Sequence, residues 1–330
     1  MPSVLRSVEH VRGLIQSGKA LLLAGDEALL AQLPKGKWIG GTIPYFISDE
    51  GGVCTRDSIF VTELPDSVVE VTVERYDEKT ITKVYKDGAE ASFSLIIIPA
   101  SSPTHLTFAL SAPTYPAFGV KPLVGWIAGV HLSDLGKAQP KVFDGRTVEA
   151  LTNAAVVLRA KLAPGKLADV GIVNIFEPSE GETIAFEADG FSARQALING
   201  EKRPLVDWLK GKAIDTRYPL VASYMGTQVN VSFQGVDAES GEVTFYAPVF
   251  AGVEYHAARP VSDYVKEFVQ RVPDAGTEGI AFSCNCILNY LYSELEGKNT
   301  GAFTGPITFG EVAYQLLNQT LAYLVIIDSA

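Results

Sequence analysis

The sequence predicts an α/β protein of two related lobes, each a mixed β-sheet flanked by helices. Three observations carry this. Short apolar runs alternate with stretches of helical period along the chain. The order strand, helix, glycine-bearing strand, strand occurs near both ends. A composition with 47% apolar and 20% charged residues is that of a folded chain able to bury a core.

In chain order, Ala20-Leu-Leu-Leu-Ala24 reads as a buried strand, Asp26 opens a helix to about Leu33, and Pro34-Lys-Gly36 ends it. Trp38 to Phe46 is extended and carries Gly40-Gly41-Thr42, and Ser58 to Thr62 is the next strand. Strands are expected at Val68 to Val73, Thr80 to Tyr85 and Phe93 to Ile98, followed by an extended or looped passage from Pro99 to Pro122 that holds five prolines. Ala154, Val157, Leu158 and Lys161 fall at helical spacing, so Thr147 to Leu162 is read as a helix, and Ala168 to Phe176 returns to strand.

The polar, turn-rich Glu177-Pro-Ser-Glu-Gly-Glu182 places a boundary near 178, dividing lobes 1–178 and 179–330. Ser192-Ala-Arg-Gln195 has capping-box spacing and is read as opening a helix; Asp207-Trp208-Leu209 belongs to another, and strands fill Leu220 to Tyr255. The second copy of the end unit comprises a strand at Gly279 to Phe282, a helix at Ile287 to Leu295, a glycine-bearing segment at Gly301 to Phe309 and a strand at Leu321 to Ile327.

Composition excludes several functional classes. The 38 acidic against 27 basic residues give a net charge of −11 with no basic run, a field that repels nucleic acid and anionic membrane. The longest apolar run, Leu321 to Ile327, is far short of the about 20 residues that span a bilayer, so a cytoplasmic location is expected. Three cysteines, Cys54, Cys284 and Cys286, are too few for a disulfide framework and suit a reducing compartment. No dinucleotide or P-loop glycine pattern, nucleophile elbow or zinc-protease helix is present.

The chemistry-bearing residues cluster near the C-terminus. Gly301-Ala-Phe-Thr304-Gly305-Pro-Ile-Thr308-Phe-Gly310-Glu311 is followed by Asn318-Gln-Thr320, and its glycines and proline allow a turn to approach a ligand closely. Two readings stand for Thr308 and Glu311. They form a capping box that starts a helix to Leu317, or Glu311 offers a carboxylate to a ligand with Thr304 and Thr308 as hydrogen-bonding neighbours. Gly41 and Thr42 would be the counterpart in the first copy. Cys284-Asn285-Cys286, between a strand and a helix, is the best-placed nucleophile, yet His10, His105, His131 and His256 bear no recognisable spacing to it.

These segments carry a resemblance. Phe282-Ser-Cys284, Phe303-Thr-Gly305, Phe309-Gly310-Glu311 and Asn318-Gln-Thr320 resemble the C-terminal half of FIST sensory domains. Ala20 to Ala24, Trp38-Ile-Gly-Gly-Thr42 and Gly51-Gly52 are similar to the N-terminal half, and Phe191 to Leu209 to the opening of the C-terminal half. The FIST pattern often has a histidine where this chain has Leu317. The resemblance implies a cytoplasmic signal-input module that binds a small polar ligand such as an amino acid, without turnover, and acts on a signalling output protein or as a homo-oligomer. Ligand contacts are expected from Gly41, Thr42, Cys284, Asn285, Thr304, Gly305, Thr308, Glu311 and Asn318. No cofactor is expected, with a histidine-ligated haem as the lesser reading. The competing class is a hydrolase or transferase built on Cys284.

Overall fold

The computed structural model describes residues 3–224, 226–271 and 279–329. The α/β class holds, with mixed sheets flanked by helices. The two copies expected at the chain ends are present, and a third lies between them. Each unit has an outer strand, an inner strand, a helix, a second inner strand parallel to the first, a hairpin, and a closing strand. The closing strand runs antiparallel between the outer strand and the first inner one.

In the first unit these parts are Ser3–Arg6, Leu21–Gly25, the helix Glu27–Leu30, Trp38–Thr42, the hairpin Tyr45–Ser48 with Gly51–Cys54, and Ile59–Glu63. In the second they are Val68–Asp77, Phe93–Pro99, the helix Pro103–Ser111, Leu123–Ala128, the hairpin Val142–Asp144 with Glu149–Leu151, and Ala154–Leu162. In the third they are Lys166–Val173, Ile280–Cys286, the helix Ile287–Tyr292, Gly305–Thr308, the hairpin Glu311–Ala313 with Gln315–Leu317, and Leu321–Asp328.

Every hairpin completes the sheet of another unit. The first unit's hairpin pairs with the third's inner strand (Gly305↔Ile47), the third's with the second's (Gly125↔Val312), and the second's with the first's (Gly40↔Phe143). The exchange closes into a ring of three six-stranded sheets, two of which join strands from both sides of residue 178. Register repeats with the topology: Leu23 faces Val61, Ile96 faces Val157 and Ser283 faces Tyr323. Gly40, Gly125 and Gly305 occupy the same place on the second inner strand. A side chain on Gly125 or Gly305 would meet the carbonyl of Ile96 or Ser283. That close approach is the physical reason the strand after the helix carries glycine in the second and third units.

An insertion splits the third unit between its outer and inner strands. It has a six-stranded sheet formed between residues 184 and 257, a three-stranded sheet of Gly190–Ala193, Phe233–Asp237 and Glu242–Val249, and the helices Leu205–Gly211 and Tyr264–Arg271. Among the described residues no helix is long and apolar enough to cross a membrane.

Several local expectations are corrected, each for a physical reason. Thr147 to Leu162 is not a helix, because Ala154–Leu162 is an interior strand covered on both faces. Val156, Leu158 and Ala160 pack into one core, Ala155 and Val157 into another, and the resulting apolar run mimics helical spacing. The Pro99 to Pro122 passage contains a helix, since Pro103 occupies its first turn, where no N–H is needed, and Ser102 caps it by accepting the His105 amide at 3.1 Å. Thr80 to Tyr85 is short helix, not strand. Ser192 and Gln195 lie in strands, and Ser192 donates to Glu242 at 3.1 Å in place of capping. Thr308 and Glu311 do not start a helix; residues 311–317 form the exchanged hairpin.

The second unit's hairpin is anchored by Asp144, which is fully buried. Its Oδ2 accepts from Arg75 Nε at 2.5 Å and Arg146 Nη2 at 2.7 Å. Burial alone would raise the carboxyl, but the bonds from Arg146 and Arg75 outweigh it and hold the group at about 2. A carboxyl depressed from 3.8 to about 2 adds stability that is complete above the higher value and is lost as pH falls through the lower, roughly 2 kcal/mol in all. The native protein is expected to lose this increment between about pH 4 and pH 2, and Asp144→Asn to lack that part of the slope in urea titrations over the same window.

Candidate functional site

The residues singled out at the C-terminus assemble around the turn Asn318-Gln319-Thr320, which links the third hairpin to its closing strand. Glu311 is fully buried behind this turn. Its Oε2 accepts from the Thr320 hydroxyl at 2.8 Å and the Thr320 amide at 3.2 Å, with the Thr308 hydroxyl 3.5 Å from Oε1 and the Cys286 thiol beside it. Burial pushes the Glu311 carboxyl up to about 8, against the opposing bonds from Thr320, Cys286 and Thr308. Glu311 therefore acts as a largely protonated internal latch that pins the turn to the hairpin.

The insertion holds the turn from the other side. Asn230 Nδ2 donates to the carbonyls of Asn318 and Gln319 at 3.0 and 3.3 Å. Ser232 Oγ donates to Gln319 Oε1 at 2.7 Å, and Gln319 Nε2 donates to the Arg217 carbonyl at 3.0 Å. Gln319 is fixed in the left-handed region at φ 47°, a conformation that this bonding over-determines.

The other expected residues are structural in their contacts. Asn285 is buried; its Oδ1 accepts from the Cys286 amide at 2.8 Å and Asn289 Nδ2 at 2.9 Å. Thr42 Oγ1 donates to the Gly129 carbonyl at 2.8 Å, and Gly41 leaves room for Ile97 and Trp126. Thr304 is half-buried and its carbonyl accepts from Ser283 Oγ at 2.9 Å, while Gly305 lies against the Ser283 carbonyl. Cys284 is buried and donates to the Gly125 carbonyl at 3.3 Å; burial drives its thiol well above the ordinary range. No histidine pairs with that sulfur among the described residues, so Cys284 has neither access nor a base to make a thiolate.

Asn318 is the exception, because it lines a cavity of ≈ 600 Å³. The walls are the first turn of Pro103–Ser111 and the loop at residues 130–140 from the second unit, the start of Ile287–Tyr292 from the third, and Phe191, Gln234, Phe245 and Tyr246 of the insertion. The size is that of a small-molecule site. Among the described residues no aspartate, glutamate, lysine or arginine lines it.

Two residues of this cavity wall each carry a buried polar atom without a partner. Asn318 is 1% exposed; its Nδ2 donates to the Leu317 carbonyl at 3.1 Å, while Oδ1 has no donor. His105 is 7% exposed, and its Nδ1 accepts from the Ser101 amide at 3.2 Å. That bond assigns the proton to Nε2, which has no acceptor. Burial lowers the imidazole to about 4, so it is neutral near pH 7. Six buried side-chain polar atoms lack partners among the described residues, and only these two belong to residues on the cavity wall.

A second cavity, ≈ 650 Å³, lies near Gln319 and is lined by Arg217, Asp263, Tyr264, Tyr292 and Lys298, among others. Its principal polar groups are engaged: Arg217 with Asp215 at 2.6 Å, Lys298 with the Ser293 carbonyl at 3.1 Å, and Gln319 as above. Among the described residues, none of those with an unpartnered buried atom lines it.

Asn318 stands out in the sequence through its polar turn, whereas His105 looks there like any of the four histidines. The signal was Ser102-Pro103, a helix start that fixes His105 on the first turn. Among curated proteins, no significant match to the chain is found. Residues 6–327 match a family described only as a family of unknown function, DUF6976, and the chain belongs to that family.

Proposed function

We propose that this protein is a non-catalytic small-ligand-binding module of the sensory kind, with the cavity between the second unit, the third unit and the insertion as its binding site. The observation that carries this is the pair of buried, unpartnered polar atoms, His105 Nε2–H and Asn318 Oδ1, carried by two residues of an otherwise largely apolar cavity wall. A folded protein rarely leaves such groups unsatisfied, because each costs about 1–3 kcal/mol, and a ligand that pairs both recovers that cost.

The FIST-like segments support the same class, since Asn318-Gln-Thr320 is the turn that Glu311 and Asn230 fix at the cavity. Occupancy would alter the packing where the second unit, the third unit and the insertion meet, which gives a signalling partner something to read. Three free cysteines fit a cytoplasmic setting. An amino acid, the ligand class first expected, would bring two charges to a wall that offers none. Haem is disfavoured by the imidazole itself: a metal-ligating histidine donates from its other nitrogen, whereas His105 Nδ1 accepts from the Ser101 amide.

The test is a thermal-shift screen of the whole chain against small aromatic, aliphatic and polar compounds, in parallel with Gln234→Trp. Gln234 is exposed and lines the cavity, so an indole there is expected to obstruct the cavity without disturbing the core. A ligand at 100 times its Kd stabilises by about 2.7 kcal/mol. The expected result is a class of compounds whose shift is lost in Gln234→Trp. Shifts of equal size in both proteins would refute the assignment of the site.

A further inference from the structure

Resting on the binding reading above, the wall chemistry narrows the ligand. Charge is the first discriminator. The wall imidazole, His105, is neutral, and among the described residues no Asp, Glu, Lys or Arg lines the cavity. An anion or cation entering it would lose water without gaining a counter-charge, a cost that far exceeds that of one lost hydrogen bond.

Polarity is the second. His105 offers a single N–H donor and Asn318 a single carbonyl acceptor, each more than nine-tenths buried. The complementary group must present one acceptor and one donor while staying neutral. A carboxamide does this with its C=O and N–H, as does the edge of a lactam or urea.

Shape is the third. Phe191, Leu288 and Phe309 line the cavity, and Leu106, Leu135 and Leu291 line it too while standing 41%, 54% and 40% exposed. Large apolar side chains left open beside a cavity signal a ligand whose apolar part covers them.

We infer that the cavity takes an uncharged amide, lactam or urea bearing an apolar group, with the carbonyl on His105 Nε2–H and the N–H on Asn318 Oδ1. The polar edge seats inside, and the apolar body lies along the leucines at the mouth.

A matched set of probes tests this on the native chain: benzamide, benzoate and benzylammonium have one ring and nearly one size but different charge. Titration calorimetry at pH 7 is expected to show benzamide binding roughly 30-fold more tightly than either ion. Binding is expected to be abolished in Gln234→Trp and weakened roughly 10-fold in His105→Phe, which keeps a planar ring and removes the donor. If an ion binds as well as benzamide and Gln234→Trp abolishes it, the cavity assignment stands and the amide inference is overturned. Failure of all three probes to bind, with the chain folded, overturns the amide inference, and failure of the wider thermal-shift panel as well removes the binding reading beneath it. Full benzamide affinity in a folded His105→Phe protein also contradicts the inference.

Discussion

Gly125→Ala is expected to destabilise the protein by on the order of 3 kcal/mol or more, whereas Gly40→Ala, at the equivalent place in the first unit, costs under about 1 kcal/mol. At Gly125 a Cβ would collide with the Ile96 carbonyl and crowd the Ile96 backbone, and neither can swing aside as a flexible side chain could. At Gly40 the nearest atoms are 3.3 Å away, a tight contact that a few tenths of an ångström relieve. The collision at Gly125 also falls where the third unit's hairpin joins the second unit's sheet, with Val312 opposite Gly125. Urea unfolding of the two variants side by side measures the difference. Equal stability losses would mean that the second inner strands are not held at these distances.

Glu311 is expected to make stability fall as pH rises, the reverse of the usual carboxylate. Its folded value of about 8 lies above the ordinary 4.5, so the fold prefers the protonated acid. The contribution is complete below about pH 4.5 and disappears as pH climbs through about 8, on the order of 5 kcal/mol across the window. Glu311→Gln removes the titration while keeping a carbonyl to accept from Thr320. Urea curves at pH 5 and pH 8.5 should therefore show a steep loss in the native protein and a much smaller one in Glu311→Gln. Parallel slopes in the two proteins would contradict a buried, protonated Glu311. Glu311→Ala is expected to cost about 2–4 kcal/mol at pH 5, because the Thr320 amide and hydroxyl lose their acceptor inside the core.

The two effects share an architectural cause. The exchanged hairpin 311–317 carries Glu311 and leads directly into Asn318, so the latch that holds the hairpin also sets the cavity wall. Ligand occupancy, turn geometry and hairpin seating are thus linked through one short segment. Sensory coupling would pass through it.

How much of this could be read from the residues differs by unit. The first and third units were legible because their strands are short, apolar and separated by clear turn residues, such as Pro34-Lys-Gly36 and Glu296-Gly297. The second was hidden by its own depth in the molecule. Ala154–Leu162 is buried on both faces and so loses the alternation that marks a strand, and Pro103 looks like a breaker until Ser102 and the first helical turn are seen together. Exchange of hairpins between units was beyond reach, because pairing partners such as Gly125 and Val312 are distant in sequence and no local pattern links them.

The site divides the same way. Asn318 announced itself in a polar turn beside an apolar strand. Its partner did not, because His105, Asn318 and Phe191 come from the second unit, the third unit and the insertion, and only the folded ring brings them to one wall. Glu311, the most conspicuous carboxylate in the sequence, is read there with Thr304 and Thr308 as hydrogen-bonding neighbours, and the Thr308 hydroxyl does stand 3.5 Å from it. Burial turns it from a ligand contact into an internal latch.

The binding site is tested most directly by a crystal structure of the chain grown with a ligand found by thermal shift. That ligand is expected in the ≈ 600 Å³ cavity, with an acceptor atom within about 3.2 Å of His105 Nε2 and a donor at the same reach of Asn318 Oδ1. Ligand density beside Gln319 in the ≈ 650 Å³ cavity, with only water against His105 and Asn318, would contradict it.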